Sequence, residues 1–244
     1  VKLCPVHFWD ELNQQSPRFR RQFSRYKEFS KATMETLLSK KDLEGGLLLE
    51  ANYSSTSYIE NLGEGKFKIS ALPVSAQVAT VNGITPIDVN GDGNMDLMMI
   101  GNNFGNEVFA GRYDAFTGLV LLGDGKGKFT PIPSAKSGFY VPNDAKSLVK
   151  ILVNEQELVI ASQNRDSLKV FANRNNQAEK IFTPETYDVS ALLHYANGKK
   201  QKIEFYYGSG YLSQSTRKVL IPKGVEAIEI FNSKGESRKQ SYPK

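Results

Sequence analysis

Five oxygen-bearing side chains crowd one short stretch of this chain, Asp88-Val89-Asn90-Gly91-Asp92-Gly93-Asn94-Met95-Asp96. Asp88, Asn90 and Asp92 alternate with other residues, so their oxygens can converge on one point. Gly93 at the sixth position permits a sharp turn. A hard cation such as Ca²⁺ takes six to eight oxygen ligands and is served by this alternation. Asn94 would add its backbone carbonyl, and Asp96 would bind directly or through water. Without a cation, three carboxylates this close repel one another. The alternative is an Asx-rich turn that holds no ion.

The residues after the loop exclude an EF-hand, which requires a bidentate Glu at position 12 on an exiting helix. Position 12 here is Met99, inside the apolar run Leu97-Met98-Met99-Ile100, which suits a buried strand. The approach, Val78–Val81 and Ile84–Ile87, reads as extended, and Pro86 disfavours a helix. The acidic loop is therefore expected to join two strands, where an ion would brace the structure.

Other chemistry is sparse. The two histidines, His7 and His194, lie far apart, and no Gly-x-Ser-x-Gly elbow occurs. Asp114 is an isolated carboxylate for which a structural pairing with Arg112 is expected. The segment 102–116 mixes amides with aromatic rings. Asn102, Asn103, Phe104 and Tyr113 are candidates for a ligand-binding, in particular glycan-binding, surface; the alternative is a loop packed by Phe104, Phe109 and Tyr113. Tyr206, Tyr207 and Tyr211 pose the same choice, with the Gly-Ser-Gly turn beside them serving backbone geometry.

The elements that must position these residues change character along the chain. Residues 1–45 read as a helical insert. A helix starts at Phe8–Leu12, Ser16 caps a second whose first residue is Pro17, and a further helix is expected from Lys27 to Leu38, with Phe29, Met34, Leu37 and Leu38 near one face. From residue 46 the period becomes that of strands. Leu47–Ala51 and Thr56–Glu60 are strand-like, and a hairpin leads to a third strand at Lys66–Ile69. The turn Gly-acidic-Gly-Lys followed by Phe occurs at Gly63–Phe67 and again at Gly123–Phe129, with Phe67 and Phe129 sixty-two residues apart and a proline closing each copy, Pro73 and Pro133. A weaker third copy runs from Leu168 to Asn173 and on to Phe182. Such repeats suggest propeller blades. The middle unit is the fullest, with strands near 78–87, 95–101, 117–123 and 128–132. The third has Ala145–Val153, Glu157–Ser162, Leu168–Ala172 and Lys180–Thr183, with a plain turn at Val153–Glu157 in place of an acidic loop.

D-x-N-x-D-G-x-x-D after one strand, with Gly-Asp-Gly-Lys-Gly-Lys-Phe beyond it, resembles the FG-GAP/VCBS repeat of integrin-type β-propellers. That resemblance implies Ca²⁺ held by Asp88, Asn90, Asp92, the Asn94 carbonyl and Asp96. A second string, Tyr207-Gly208-Ser209-Gly210-Tyr211-Leu212-Ser213-Gln214-Ser215, is similar to the core of the ASPIC/UnbV domain, a module that commonly follows such propellers. It implies a C-terminal β domain with a late strand at Val225–Ile230 and a closing turn at Gly235. Phe231-Asn232-Ser233-Lys234-Gly235 departs from the usual Trp-Pro-(Ser/Asp)-Gly of that family. The whole arrangement resembles large surface or secreted proteins of Bacteroidetes.

The expected organisation is mostly β: a helical segment over 1–45, about three blades of a partial β-propeller over 46–186, and a small β module over 187–244. A closed propeller needs at least four blades, so the missing ones are expected elsewhere, in a longer protein or in another chain. Among 244 residues, an apolar share of 40% supports a core, and a net charge of +5 is spread along the chain. The basic patch around Arg18–Arg21 reads as a solvated helix face, and no nucleic-acid motif accompanies it. Cys4 is the only cysteine, so no intrachain disulfide forms. No stretch reaches the ~18 apolar residues of a membrane span. The start at Val1 fits a mature form, a proteolytic product or an excised fragment. The expected function is non-enzymatic: a calcium-stabilised binding or interaction module at the outer-membrane surface, outside the cell or in the periplasm, with further blades, a protein or a glycan as partner. The alternative is a component of a polysaccharide-handling enzyme or uptake complex whose active site lies elsewhere.

Overall fold

The computed structural model describes residues 2–47, 49–174 and 178–242, which group into two compact units, Val1–Ser54 and Ser55–Lys244. The first unit is helical. Helices α1 (Trp9–Gln15) and α2 (Pro17–Gln22) meet at Ser16, whose hydroxyl accepts from the Arg18 N–H as the expected cap, with Pro17 at the first helical position. The single helix expected over 27–38 is instead two short ones, α3 (Tyr26–Phe29) and α4 (Met34–Leu37). Thr33 starts a new helix because its hydroxyl accepts from the Thr36 N–H at 3.3 Å, giving the backbone an alternative to helix continuation. Helix α5 (Lys40–Leu43) is held to α2 by the paired bonds from the Arg18 guanidinium to Asp42. Leu37 is buried as expected, with Leu12 and Ala32. The strand expected at Leu47–Ala51 is absent from Leu47 and Leu49–Ala51, which are irregular; Leu48 lies outside the described residues.

The second unit is built of antiparallel sheets. Strands β1 (Ser57–Gly63) and β2 (Lys66–Ala71) form a hairpin. Strands β3 (Val81–Ile87), β4 (Asp96–Gly101), β5 (Leu119–Gly123) and β6 (Phe129–Ile132) form a meander in sequence order, as the middle repeat predicts. Strands β7 (Ala145–Val153), β8 (Gln156–Gln163) and β9 (Lys169–Ala172) form a three-stranded sheet. The fourth strand expected of that sheet, β10 (Ala178–Phe182), leaves it to pair with β13 (Val219–Pro222). The last sheet has the order β12-β11-β14-β15, from β11 (Asp188–Tyr195), β12 (Lys200–Glu204), β14 (Val225–Asn232) and β15 (Ser237–Ser241). Among the described residues the sheets close into neither a barrel nor a propeller.

The repeat is visible beyond its turns. Pro73 leads into a 3₁₀ turn at Val74–Ala76 and Pro133 into a short helix, α6 (Ser134–Ser137), each between the last strand of one sheet and the first strand of the next. Strand β4 explains why its sequence is a continuous apolar run. Met98 and Ile100 pack with Phe139, Val141 and Leu148 on one face, while Met99 packs with Phe116 and Leu121 on the other. Each such buried side chain contributes about 1.5–3 kcal/mol. Neighbouring first strands approach closely: a Cβ on Gly83 would stand 2.9 Å from Leu148 Cβ, and Asn82 Nδ2 donates to the carbonyls of Asn102 and Ala145 at 2.8 Å. The C-terminal sheet has its own core of Leu193, Phe205, Ile228 and Ile230. The Arg238 guanidinium forks onto the buried Asp188 at 2.5 and 2.7 Å.

A candidate metal loop at a three-way junction

The acidic loop spans residues 88–95 between the paired ends of β3 and β4, Ile87 and Asp96. Its side chains fold the backbone around themselves. Asp88 accepts the Gly91 and Gly93 N–H groups at 2.7 and 2.8 Å, Asn90 accepts from the Asp92 N–H at 3.0 Å, and Asp92 accepts from the Asn94 N–H at 2.8 Å. Gly91 and Gly93 take φ of 78° and 80°, which side-chain-bearing residues adopt only under strain. Asn94 lies against the repeated turn of the next hairpin, where a Cβ on Gly125 would stand 2.6 Å from Asn94 Oδ1. The two sequence features that mark this sheet, the acidic loop and the Gly-Asp-Gly turn, are thus in contact.

Asp96 is the best-fixed member. It is fully buried, and its two oxygens accept the Val89 and Gly123 N–H groups at 2.9 and 2.8 Å. It ties both ends of the loop to β5. Desolvation raises its pKa, the two backbone donors offset part of that, and the charges of Asp92 and Asp88 raise it further. For Asp92 desolvation acts upward too, but the bonds from Asn94 and Asn90 and the nearby Lys199 outweigh it, and the net shift is downward.

Two residues that no local pattern flags reach the loop from distant segments. Asn173, just after β9, donates its amide to the Asp88 carbonyl at 2.9 Å. Lys199, in the turn between β11 and β12, donates to the Gly93 carbonyl at 3.0 Å. The loop is therefore the point where its own sheet, the next sheet and the C-terminal sheet meet.

Among the described residues no three His, Cys, Asp or Glu side chains are gathered as a ready metal cage. Asp88 and Asp96 each accept two backbone N–H groups, and Asp96 differs in being fully buried, whereas Asp92 is exposed. Asp88, Asp92, the Asn90 amide oxygen and the Asn94 carbonyl still fit a hard divalent cation, because each oxygen keeps lone pairs and water completes such shells. Asp96 supports the loop from behind.

The segment 102–116 is divided differently from its sequence expectation. Asn102 is fully buried; its Nδ2 donates to the carbonyls of Phe116, Pro142 and Asn143, and its Oδ1 accepts from the Phe116 N–H at 2.9 Å. It clips the insertion shut and has no polar atom to offer a ligand. Asn103 forms a bridge to Tyr113 and donates to Asn106 Oδ1 at 2.8 Å. Arg112 stacks on the Phe104 ring at 5.1 Å, in place of the ion pair expected with Asp114. Tyr113 is half exposed and Phe109 is 88% exposed. Of the expected set Tyr113 is the exposed member, while Asn103 and Phe104 are each partly buried.

The Gly208–Ser215 string is a compact loop that docks on β7. Ser215 Oγ accepts the Lys150 N–H at 3.0 Å and the Thr216 N–H donates to the Lys150 carbonyl at 2.7 Å. Ser209 Oγ and the Gln214 side chain close the loop internally. Tyr207 donates to the Thr186 carbonyl at 3.1 Å and carries Arg217 4.1 Å above its ring, while Tyr206 and Tyr211 are exposed. His194 faces Glu229 at 3.3 Å and His7 faces Glu11 at 3.3 Å, each pair within its own unit. No helix among the described residues is long and apolar enough to cross a membrane. In comparisons with known proteins the chain matches no family model and no curated relative.

Proposed function

We propose that this chain is a non-enzymatic, calcium-braced binding module of the bacterial surface, made of blades like those of FG-GAP/VCBS propellers and an ASPIC/UnbV-like C-terminal domain. The observation that carries this reading is the position of the acidic loop, tied to the next sheet by Asn173 and to the C-terminal sheet by Lys199. An ion held by Asp88, Asn90, Asp92 and the Asn94 carbonyl would neutralise two carboxylates at the point where three sheets meet. It would thereby stiffen a surface rather than perform a reaction. The partial propeller is supported by the four-stranded meander, by the repeated proline-to-short-helix connections, and by the face of the first hairpin. There Ile59, Phe67 and Ile69 are each more than half exposed on one side of β1–β2. A further blade is the partner whose chemistry suits that face.

The experiment is thermal unfolding with and without a chelator. A ligand that binds only the folded state at about a hundred times its Kd adds about 2.7 kcal/mol. For a unit of this size that corresponds to a fall in Tm of roughly 5–10 °C on chelation. An unchanged Tm across calcium concentrations from micromolar to millimolar would remove the brace.

A further inference from the structure

A cavity of about 720 Å³ lies beside the acidic loop, between β3 and the inner side of the C-terminal sheet. Its size falls within the ~300–1,000 Å³ range of small-ligand sites. Its lining includes the apolar side chains of Leu193, Ile203, Phe205 and Val219 from the C-terminal part and Ile84, 44% exposed, from β3. The amides of Asn197, Gln201 and Gln214 and the exposed ring of Tyr206 also line it.

Charge around the cavity is unbalanced. Six cations line it, Lys150, Lys199, Lys202, Arg217, Lys218 and Lys223, against four carboxylates, Asp88, Asp92, Glu157 and Glu204. Glu157 is paired with Lys150 at 3.3 Å and Glu204 with Lys202 at 2.7 Å. Asp88 and Asp92 belong to the acidic loop. Among the described residues Lys199, Arg217, Lys218 and Lys223 have no carboxylate partner within ion-pair distance, although Lys199 lies close enough to Asp92 to lower its pKa. Lys199 donates to the Gly93 carbonyl and Arg217 to the Tyr207 hydroxyl and the Asp188 carbonyl. A cavity whose lining combines unpaired cations, amides and buried apolar side chains suits a molecule with hydrogen-bonding groups, a hydrophobic face and negative charge. A sugar ring has a C–H face and a belt of hydroxyls, and a carboxylate or sulfate adds the charge.

From this we infer that the cavity binds an acidic saccharide, carboxylated or sulfated, with Lys218 and Lys223 as its charge-reading residues. The inference rests on the reading of the chain as a binding module and places the ligand between β3 and the C-terminal sheet, away from the 102–116 insertion. It also gives the loop a second consequence, since Asp88 and Asp92 form part of the cavity wall and an ion on them makes the cavity more positive.

Calorimetric titration of the full chain at about 0.15 M salt, where long-range attraction is largely screened, tests this with three probes. They are an oligogalacturonate, a chondroitin sulfate oligosaccharide and a neutral cello-oligosaccharide. At least one acidic probe should bind, the neutral one at least about tenfold more weakly; which acidic probe binds names the anionic group. The double variant Lys218→Glu, Lys223→Glu should lower affinity for the acidic probe by about tenfold or more. Reversal of two lysines away from the cavity, Lys136→Glu and Lys234→Glu, should leave it unchanged. Absence of binding by both acidic probes, equal binding of the neutral probe, or equal loss in the two double variants would overturn the proposal. The chelator-dependent Tm of the same samples reads the brace separately. If the calcium response persists while acidic sugars do not bind, only the cavity assignment falls; if the response is also missing, the braced-module reading falls with it.

Discussion

Two hairpins in this molecule occupy the same place in neighbouring sheets and are closed in opposite ways. Strands β7 and β8 are joined by Asn154 and Glu155 alone, both at positive φ, 47° and 64°, between the paired residues Val153 and Gln156. This is the tight turn whose twist matches two antiparallel strands. Strands β3 and β4 are joined by eight residues that include two carboxylates, and a third carboxylate is buried at the exit. A loop four times as long costs roughly 1 kcal/mol more to close. The strand pair does not require that length, as β7–β8 proves. The extra residues therefore serve something other than strand connection. Their contacts with Asn173 and Lys199 and their oxygen-rich interior point to a brace.

Four measurements break or sharpen this contrast. The largest expected effect is that of chelation, a fall in Tm of roughly 5–10 °C if calcium is near a hundred times its Kd. Asp92→Ala should reproduce most of that fall in the presence of calcium and blunt any further response to chelator. Without calcium it should change stability little, because Asp92 is exposed.

Asp96→Asn separates brace from ligand. The asparagine keeps one acceptor but turns an NH₂ toward a backbone donor, so one buried N–H is left unmatched. The expected loss is about 1–3 kcal/mol, of similar size with and without calcium. A loss that vanished on chelation would instead make Asp96 a direct ligand. The smallest effect belongs to the other hairpin. Glu155→Gly relieves a left-handed residue and should stabilise by about 0.5–1 kcal/mol in urea unfolding, with no change in calcium response. Destabilisation there would show that Glu155 makes a compensating interaction.

Much of the second unit is legible in the chain because period and turns agree. Leu97–Ile100 reads as a buried strand and is packed on both faces; Gly63–Phe67 and Gly123–Phe129 read as equivalent turns and each leads into a strand. The first unit is less legible. Between residues 27 and 38 apolar spacing suits one helix, but Thr33 offers a local cap that competes with the helical ladder, and the segment divides. Asn102 shows the same limit at the level of a site. An Asn beside aromatic residues resembles a sugar ligand in sequence, yet burial commits its whole amide to four backbone partners.

What the sequence by itself determined is local: the acidic loop, the strands on either side of it, the exclusion of an EF-hand, and the plain turn of the next sheet. All depend on residues within a dozen positions of one another, where side-chain spacing fixes geometry directly. Tertiary structure alone decided that Asp96 is the buried carboxylate of the loop and is tied to β5, because the Gly123 N–H that engages it lies twenty-seven residues away. It also decided that β10 joins β13, that Asn173 and Lys199 reach the loop, and that a cavity with more cations than carboxylates in its lining opens beside it. Such contacts join residues about forty to a hundred positions apart, and no periodicity records which distant strand will arrive beside a given loop.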